Sequence, residues 1–426
     1  MEAPFSAWQS LSPMHAWAIA TAAVVAAGCA VVGTLLVVRR MSLLGDAISH
    51  AVLPGIVVAV LAGGRPGGLL VLVGAVGAAV VTVLLVQWLR REGGLAEDAG
   101  TGVVFTTLFA LGVVLITAAA SRIDLDPSCI LYGILELVPF DTVAVGGWEI
   151  PRAFATGMIV LLLVAAALAA TWKEQLFTAF DADAARAAGL PVGMATTGLL
   201  AATAVVTVAS FEAVGAILVV ALLVVPAATA ELLTHRLHWM AIVAVLCGAT
   251  AACLGYLAAW RLNTNAAGMI AVVLGLQYAV AVLVAPGDGV FARLAARISL
   301  SWRVGCEDIV ARLWRAEEAD HAAVRPADTL TERAAGLWLA LRGRIVRDGG
   351  RWRLTAVGRQ EAETVVRSHR LWEAWLGRHA DVPLDHLHPP AEWIEHHLGT
   401  DVRRRIAAEV GVEEGDPHGR AIPPER

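Results

Sequence analysis

Lysine is nearly missing: Lys173, preceded by Trp172, is the single one among 426 residues. The Gly-Lys-Ser/Thr element of a phosphate-binding P-loop therefore occurs nowhere in the chain, so nucleotide hydrolysis by such a loop is excluded. Cysteine is scarce too. Cys29, Cys247 and Cys253 stand in apolar runs while Cys129 and Cys306 are isolated; no pair has metal-site spacing or points to an obligatory disulfide, and all read as packing residues. Charge is thin, with Asp, Glu, Lys and Arg at 16% of residues against 58% hydrophobic, a balance that excludes an ordinary soluble domain. A basic leader and a small-residue cleavage site are lacking before the first apolar run, which reads as a retained span and not as a signal peptide.

What is present is lopsided. Apolar runs fill the chain as far as Pro286, after which Arg, Glu, Asp and His dominate, so one body lies in lipid and one in water. The net charge of -5 averages over both and says little about partners. Windows of about 20 apolar residues give about nine spans, at 16–38, 43–63, 68–89, 99–120, 153–172, 193–210, 213–232, 240–260 and 266–285. Alternating the connections gathers Arg39, Arg40, Arg90, Arg91, Lys173, Arg186, Arg236, Arg293 and Arg297 on one side, and leaves Arg65, Arg122, Arg152 and Arg261 on the other. The positive-inside rule then predicts the N-terminus outside and the charged C-terminal part in the cytoplasm. Small residues such as Gly74-Ala-Val-Gly77 within the spans predict close helix packing. The outer segment from Ser121 to Arg152 carries Asp124, Asp126, Glu136, Asp141 and Glu149, and serves either to dock a soluble partner or as a plain connection.

Met41-Ser-Leu-Leu-Gly-Asp46-Ala-Ile-Ser-His50 places a carboxylate and an imidazole four apart at the head of an apolar stretch. On a helix the two lie one turn apart on one face, where they can hold one divalent cation. An ionisable group at the bilayer centre costs roughly 2.5 to 3.5 kcal/mol on insertion scales, so the pair points to a polar pathway; the alternative is a helix end satisfied by water. Pro54 and Pro226 are expected kink points, either opening a path or merely bending their helices. Glu212 reads as a solvated residue in a turn between the sixth and seventh spans.

The whole stretch from Arg39 through Asp46 and His50 to Pro54-Gly55 resembles the membrane permeases of the ABC transporter family that imports manganese, zinc or iron. Two further blocks carry the resemblance. Ala179-Phe-Asp181-Ala-Asp183-Ala-Ala-Arg186-Ala-Ala-Gly189-Leu-Pro191-Val192 is similar to the cytoplasmic loop with which these permeases engage their ATPase, and its amphipathic start and Gly-Pro end also suit a short surface helix. Val214-Gly-Ala-Ile-Leu-Val-Val-Ala-Leu-Leu-Val-Val-Pro226-Ala-Ala-Thr-Ala230 is similar to the span that follows. The resemblance covers nearly all of residues 15–285. It implies a separate ATPase subunit, an extracytoplasmic metal-binding protein and a homodimer of permeases in the membrane lipid.

From Trp302 the pattern changes. Cys306-Glu-Asp-Ile-Val-Ala-Arg-Leu-Trp314 has apolar residues three and four apart, and Val346-Arg-Asp-Gly-Gly-Arg-Trp-Arg-Leu354 reads as two short strands around a turn, so helices followed by a hairpin predict a winged helix. Glu392, Glu395 and His396, at i, i+3 and i+4, would share one helical face with donors suited to manganese or iron(II). Over 303–424 the chain is similar to the diphtheria-toxin-repressor type of metal-dependent regulators, on Leu354-Thr-Ala-Val-Gly358, Val366-Arg-Ser-His369-Arg-Leu-Trp-Glu373, His388, Glu392-Trp-Ile-Glu395-His396 and Asp416-Pro-His-Gly-Arg-Ala-Ile-Pro423. That resemblance implies one metal site at His369, Glu373 and His388 and another at Glu392, Glu395, His396 and Asp308. Ala311 stands where an acidic ligand is expected and the stretch 319–341 is short for a two-helix reader. With the tether to a membrane, these features count against nucleic-acid binding, although Arg333, Arg342, Arg344, Arg347, Arg351 and Arg353 suit phosphate or anionic lipid.

The reading is an all-α polytopic membrane bundle at 1–290, a linker at 291–302 and a cytoplasmic regulator-like domain at 303–426. Within the last, a degenerate winged helix (303–357) precedes a helical metal-binding part (358–426). The expected activity is import of a divalent transition metal, manganese ahead of zinc or iron, by a multi-pass permease of the bacterial cytoplasmic membrane. The chain is not itself an enzyme and holds no permanent cofactor. A membrane-anchored transcription regulator and a secondary carrier without ATP are the alternatives.

Overall fold

The computed structural model describes residues 12–63, 69–93, 97–119, 135–145, 147–287, 289–319, 329–348, 351–380, 383, 386–411 and 415–425. The side chains of Asp46 and Glu212, and the residues Asp124, Asp126 and Cys129, lie outside this description. The chain divides into two compact units, Met1–Ala292 and Arg293–Arg426.

In the first unit α1 (Pro13–Val38) starts with a proline, tolerated where the backbone N–H has no helical partner anyway. Its Ala18, Ala22, Ala26, Cys29 and Ala30 are fully buried. Lipid supplies no hydrophobic drive between helices, so these small side chains are what lets other helices approach. The expected second span is two helices, α2 (Leu43–Ala51) and α3 (Leu53–Leu61), meeting at Val52. Pro54, in the first turn of α3, cannot donate a backbone hydrogen bond, which accounts for the interruption. Next come α4 (Leu69–Gly93) and α5 (Glu97–Ala119). Gly55 of α3 and Gly74 of α4 meet backbone to backbone: a Cβ on either would run into the other's carbonyl oxygen.

The described part of the segment between α5 and the next long helix carries regular structure. A 3-10 turn at Leu135–Phe140 precedes an antiparallel hairpin of β1 (Thr142–Val145) and β2 (Trp148–Pro151). α6 (Arg152–Ala170), α7 (Trp172–Phe180) and α8 (Ala182–Ala187) follow. The sixth and seventh expected spans are not separated by a turn; they form α9 (Val192–Leu233), broken only at Gly215. There φ is 76°, a left-handed value that a side chain would strain, so the break falls at the glycine and not at Pro226. α10 (Leu237–Leu262) and α11 (Ala266–Val284) complete the unit. The Glu136 carboxylate accepts from the Ala266 N–H at 3.0 Å, fastening the 3-10 turn to the first residue of α11.

Among the described residues, seven helices are long and apolar enough to cross a membrane, counting α9 as two. The interrupted α2–α3 pair and α4, whose apolar part is Val73–Leu89, bring the bundle to about the expected number of spans. α1 and the second part of α9 are the most enclosed, and α1 packs against α6, α9 and α10.

The expected linker at 291–302 is helical, being the first part of α12 (Val290–Glu318). α13 (Leu330–Leu341) and a hairpin of β3 (Ile345–Asp348) and β4 (Arg351–Leu354) follow, giving the helix, helix and wing order. Cys306, Ile309, Val310 and Leu313 of α12 pack with Ala335 and Leu339 of α13. Thr355 caps α14 (Ala356–His379) by accepting from the Gly358 N–H at 3.1 Å. α15 (His388–Ile394) and α16 (Thr400–Val410) close the chain, and Ile406, Val410 and Ile422 of the tail share a small core with Leu371 and Ala374. Arg370 ties the tail down. Buried beneath Trp314, it donates to Glu318 at 2.9 Å and to the Ala421 carbonyl, with its Nε 3.6 Å from Asp416.

Candidate metal sites

Asp46 and His50 both fall on α2, one turn apart. The His50 imidazole is half-buried, with its ring 5.6 Å edge-on from Phe109 and 6.1 Å from Phe105, both of α5. Helix α2 also packs against α9. Of this pair the structure therefore defines the helical register and the imidazole's aromatic surroundings.

The stretch from Asp181 to Pro191 forms a small surface device. Asp181 caps α8, accepting from the Asp183 and Ala184 N–H groups at 3.0 and 2.9 Å. Arg186 pairs with Asp183 in solvent. Gly189, at φ 79°, ends the helix, its N–H bonding the Arg186 carbonyl and that of Leu190 bonding Ala185. Pro191 then starts α9. Beside this device Phe180 is 90% exposed, a bare aromatic to which the sequence reading gave no role of its own.

In the second unit two donor clusters form. His369 and Glu373, one turn apart on α14, meet His388 at the start of α15. His369 Nε2 lies 3.1 Å from Glu373 Oε1 and 2.9 Å from His388 Nδ1, and that nitrogen is 3.0 Å from the same Glu373 oxygen. Adjacent ligands on an ion with bonds of about 2.1 Å stand roughly 3 Å apart, so the spacing fits one metal ion. Asp308 of α12 and Glu395 converge on His396 Nε2 at 3.1 and 3.5 Å. Glu395 also reaches the first cluster, with Oε2 2.6 Å from His369 Nδ1 and 3.2 Å from Arg315.

α15 ends at Ile394, with Glu395 still at helical backbone angles and its N–H bonded to the Ala391 carbonyl. Glu392 lines the same cavity as Asp308, Glu395 and His396 but does not join their close donor set. Its carboxylate, 59% exposed, lies 3.4 Å from His388 Nε2 instead. Three residues join that sequence reasoning gave no role. Glu307 is 2.7 Å from His396 Nδ1, and Asp416 and His418 of the tail line the cavity, about 300 Å³, that holds His369, Glu373 and His388. Their only signals were the acidic neighbour of Asp308 and the Asp-Pro-His stretch.

Burial works against a charged His396, but hydrogen bonds to the Asp308 and Glu307 carboxylates outweigh it and raise the imidazole to about 9. Burial opposes His369 likewise, and Glu373 and Glu395 raise it. Burial would raise the Glu373 carboxyl, yet its bonds to His369 and His388 hold it down at about 2. Without metal His396 is thus held protonated and Glu373 ionised near neutral pH, and a divalent cation at His396 would replace its proton with charge of the same sign.

The multi-pass helical bundle of the first unit has known relatives. Residues 12–285 match the ABC 3 transport family, and the chain belongs to that family. It is 42% identical over 280 residues to the manganese transport system membrane protein MntD of Bacillus subtilis, covering 66% of this chain and 95% of that protein. With the zinc transport system membrane protein TroD of Treponema pallidum it shares 33% identity, covering 64% and 74%. With the chelated iron transport system membrane protein YfeD of Yersinia pestis it shares 34%, covering 64% and 85%. Among solved structures, PsaBC from Streptococcus pneumoniae in complex with Fab superposes with a TM-score of 0.56 at 29% identity, covering 68% of this chain and 98% of that one. Residues 355–424 match the iron dependent repressor metal binding and dimerisation domain.

Proposed function

We propose that the chain is the membrane-spanning subunit of an ABC importer for a divalent transition metal, manganese by preference, and that its second unit senses the imported ion. The family match over residues 12–285, with 42% identity to a manganese permease, is the observation that carries this reading. The metal is substrate here. Asp46 and His50 offer it a transient site on the interrupted span, while a separate ATPase engages α8 and Phe180 and an extracytoplasmic protein delivers the ion. Two permeases pair in the bacterial cytoplasmic membrane, N-terminus outside and second unit in the cytoplasm. The grouping of Arg39, Arg40, Lys173, Arg186 and Arg236 on one side supports that orientation.

In the second unit the nitrogen and oxygen donors of His369, Glu373 and His388, and of Asp308, Glu395 and His396, would hold regulatory ions, whose chemistry is to bind α12, α14 and α15 into one arrangement. Arg315 and Glu395 orient His369 between the clusters. Filling them when the ion is plentiful slows transport.

Uptake of manganese, zinc and iron into vesicles holding the assembled transporter tests the reading. Manganese should enter fastest, and an Asp46→Ala/His50→Ala variant should lose at least about tenfold of it, equivalent to ~1.4 kcal/mol. Unchanged uptake in that variant refutes the route. Deleting residues 303–426 should abolish inhibition by internal metal; an unaltered internal-metal dependence refutes the sensor.

A further inference from the structure

We infer that Arg39 is a positioning residue that transmits movement of the ATPase-facing loop to the helix carrying Asp46 and His50. The inference rests on the loop's assignment above. Arg39 is the C-cap residue of α1, seven positions before Asp46, and the helical path is broken at Arg40, whose φ is 59°. Its guanidinium does not run out to solvent or lipid headgroups. It reaches sideways under α7 and donates to Gln175 Oε1 at 2.6 Å, the Gln175 carbonyl at 3.3 Å and Thr178 Oγ1 at 2.5 Å. The other terminal nitrogen reaches Thr196 Oγ1, in the first turns of α9, at 3.4 Å.

Gln175 and Thr178 are both buried beneath it. Gln175 completes the connection by donating from Nε2 to the Ala195 carbonyl at 3.1 Å. One side chain thus joins the end of the first span, the helix that leads into the loop, and the start of the span that leaves it.

The geometry is specific to arginine. A planar, forked cation can address α7 and α9 at once, whereas an ammonium at the same place satisfies fewer of these acceptors and holds no fixed direction. When the loop between α7 and α9 is displaced, the clamp obliges the α1 terminus to follow, and α2 begins four residues beyond it at Leu43. A residue that merely capped α1 would need only the nearest carbonyls. The bonds to two other elements are what a transmission role requires and a cap does not.

The test uses the full transporter, permease with its ATPase and binding protein, in vesicles. Metal uptake and ATP hydrolysis are measured together for wild type, Arg39→Lys, and a Gln175→Ala/Thr178→Val double variant that keeps the arginine but removes its partners. Asp183→Cys, introduced in each background, is cross-linked to the ATPase to report whether the loop still docks. Cross-linking and ATP hydrolysis should persist in both variants while uptake per ATP hydrolysed falls at least fivefold. An unchanged ratio, or uptake and hydrolysis falling in parallel with docking intact, overturns the role of Arg39 alone. Failure of the wild-type background to cross-link overturns the loop's assignment and the inference with it.

Discussion

The two units solve the same problem with opposite materials. Helices in the membrane unit approach through alanine and glycine, and its few polar side chains mostly satisfy their own helices, as Thr34, Thr203 and Ser210 do by bonding the carbonyl four residues back. The second unit is held by charge. Arg370 alone engages Glu318, Asp416 and a tail carbonyl, and histidines sit among carboxylates. His50 and His396 differ in the contacts they make: the rings of Phe105 and Phe109 lie against the first, and the carboxylates of Glu307 and Asp308 against the second.

The comparison breaks most visibly under the wrong kind of substitution in each unit. Gly55→Leu should cost well above the ~1–3 kcal/mol of ordinary overpacking, because the obstacle is the Gly74 backbone and cannot turn aside. Its readout is loss of the monodisperse detergent-solubilised peak. Arg370→Leu puts an apolar side chain in place of the cation, yet should destabilise the second unit by about 3 to 5 kcal/mol, since Asp416 stays buried without its cation. Chemical denaturation followed by tryptophan fluorescence measures it, and a stabilised variant would show that charge is not what holds the tail.

A smaller effect separates the units by ligand. Manganese at about a hundred times its dissociation constant should stabilise the second unit by ~2.7 kcal/mol. His369→Ala should remove most of that gain. A thermal shift that survives the substitution would place the ion elsewhere.

The smallest effect is with pH. In metal-free protein the His396 pKa stands above its ordinary 6.5, at about 9. Its pairing therefore contributes fully below about pH 6.5 and is lost as pH rises through about 9. The unfolding midpoint of the second unit should decline across that window, and His396→Gln should flatten the decline. Equal slopes would remove His396 from the pairing.

Much of this was visible in the residues. Apolar runs located the spans of α1, α4, α5, α6, α10 and α11 because a membrane tests each segment separately, by its own composition. The helix, helix and hairpin order of 303–354 was likewise a matter of local period. Glu392 is the converse case: spacing grouped it with Glu395 and His396, whereas its carboxylate lies 3.4 Å from His388 Nε2, because side-chain direction as well as spacing selects the partner. The hairpin of β1 and β2 was missed because strands of four residues carry too little alternation to register.

Composition and periodicity by themselves determined a membrane body, a charged appendage, the absence of a P-loop and the donor residues worth naming, since each is a property of a short stretch of chain. Tertiary structure alone decided that the break in α9 falls at Gly215, that Arg39 spans three elements, and that His418 and Glu307 stand beside donors far away in sequence. Those outcomes depend on distances between helices, and such distances are set by packing that no single stretch contains.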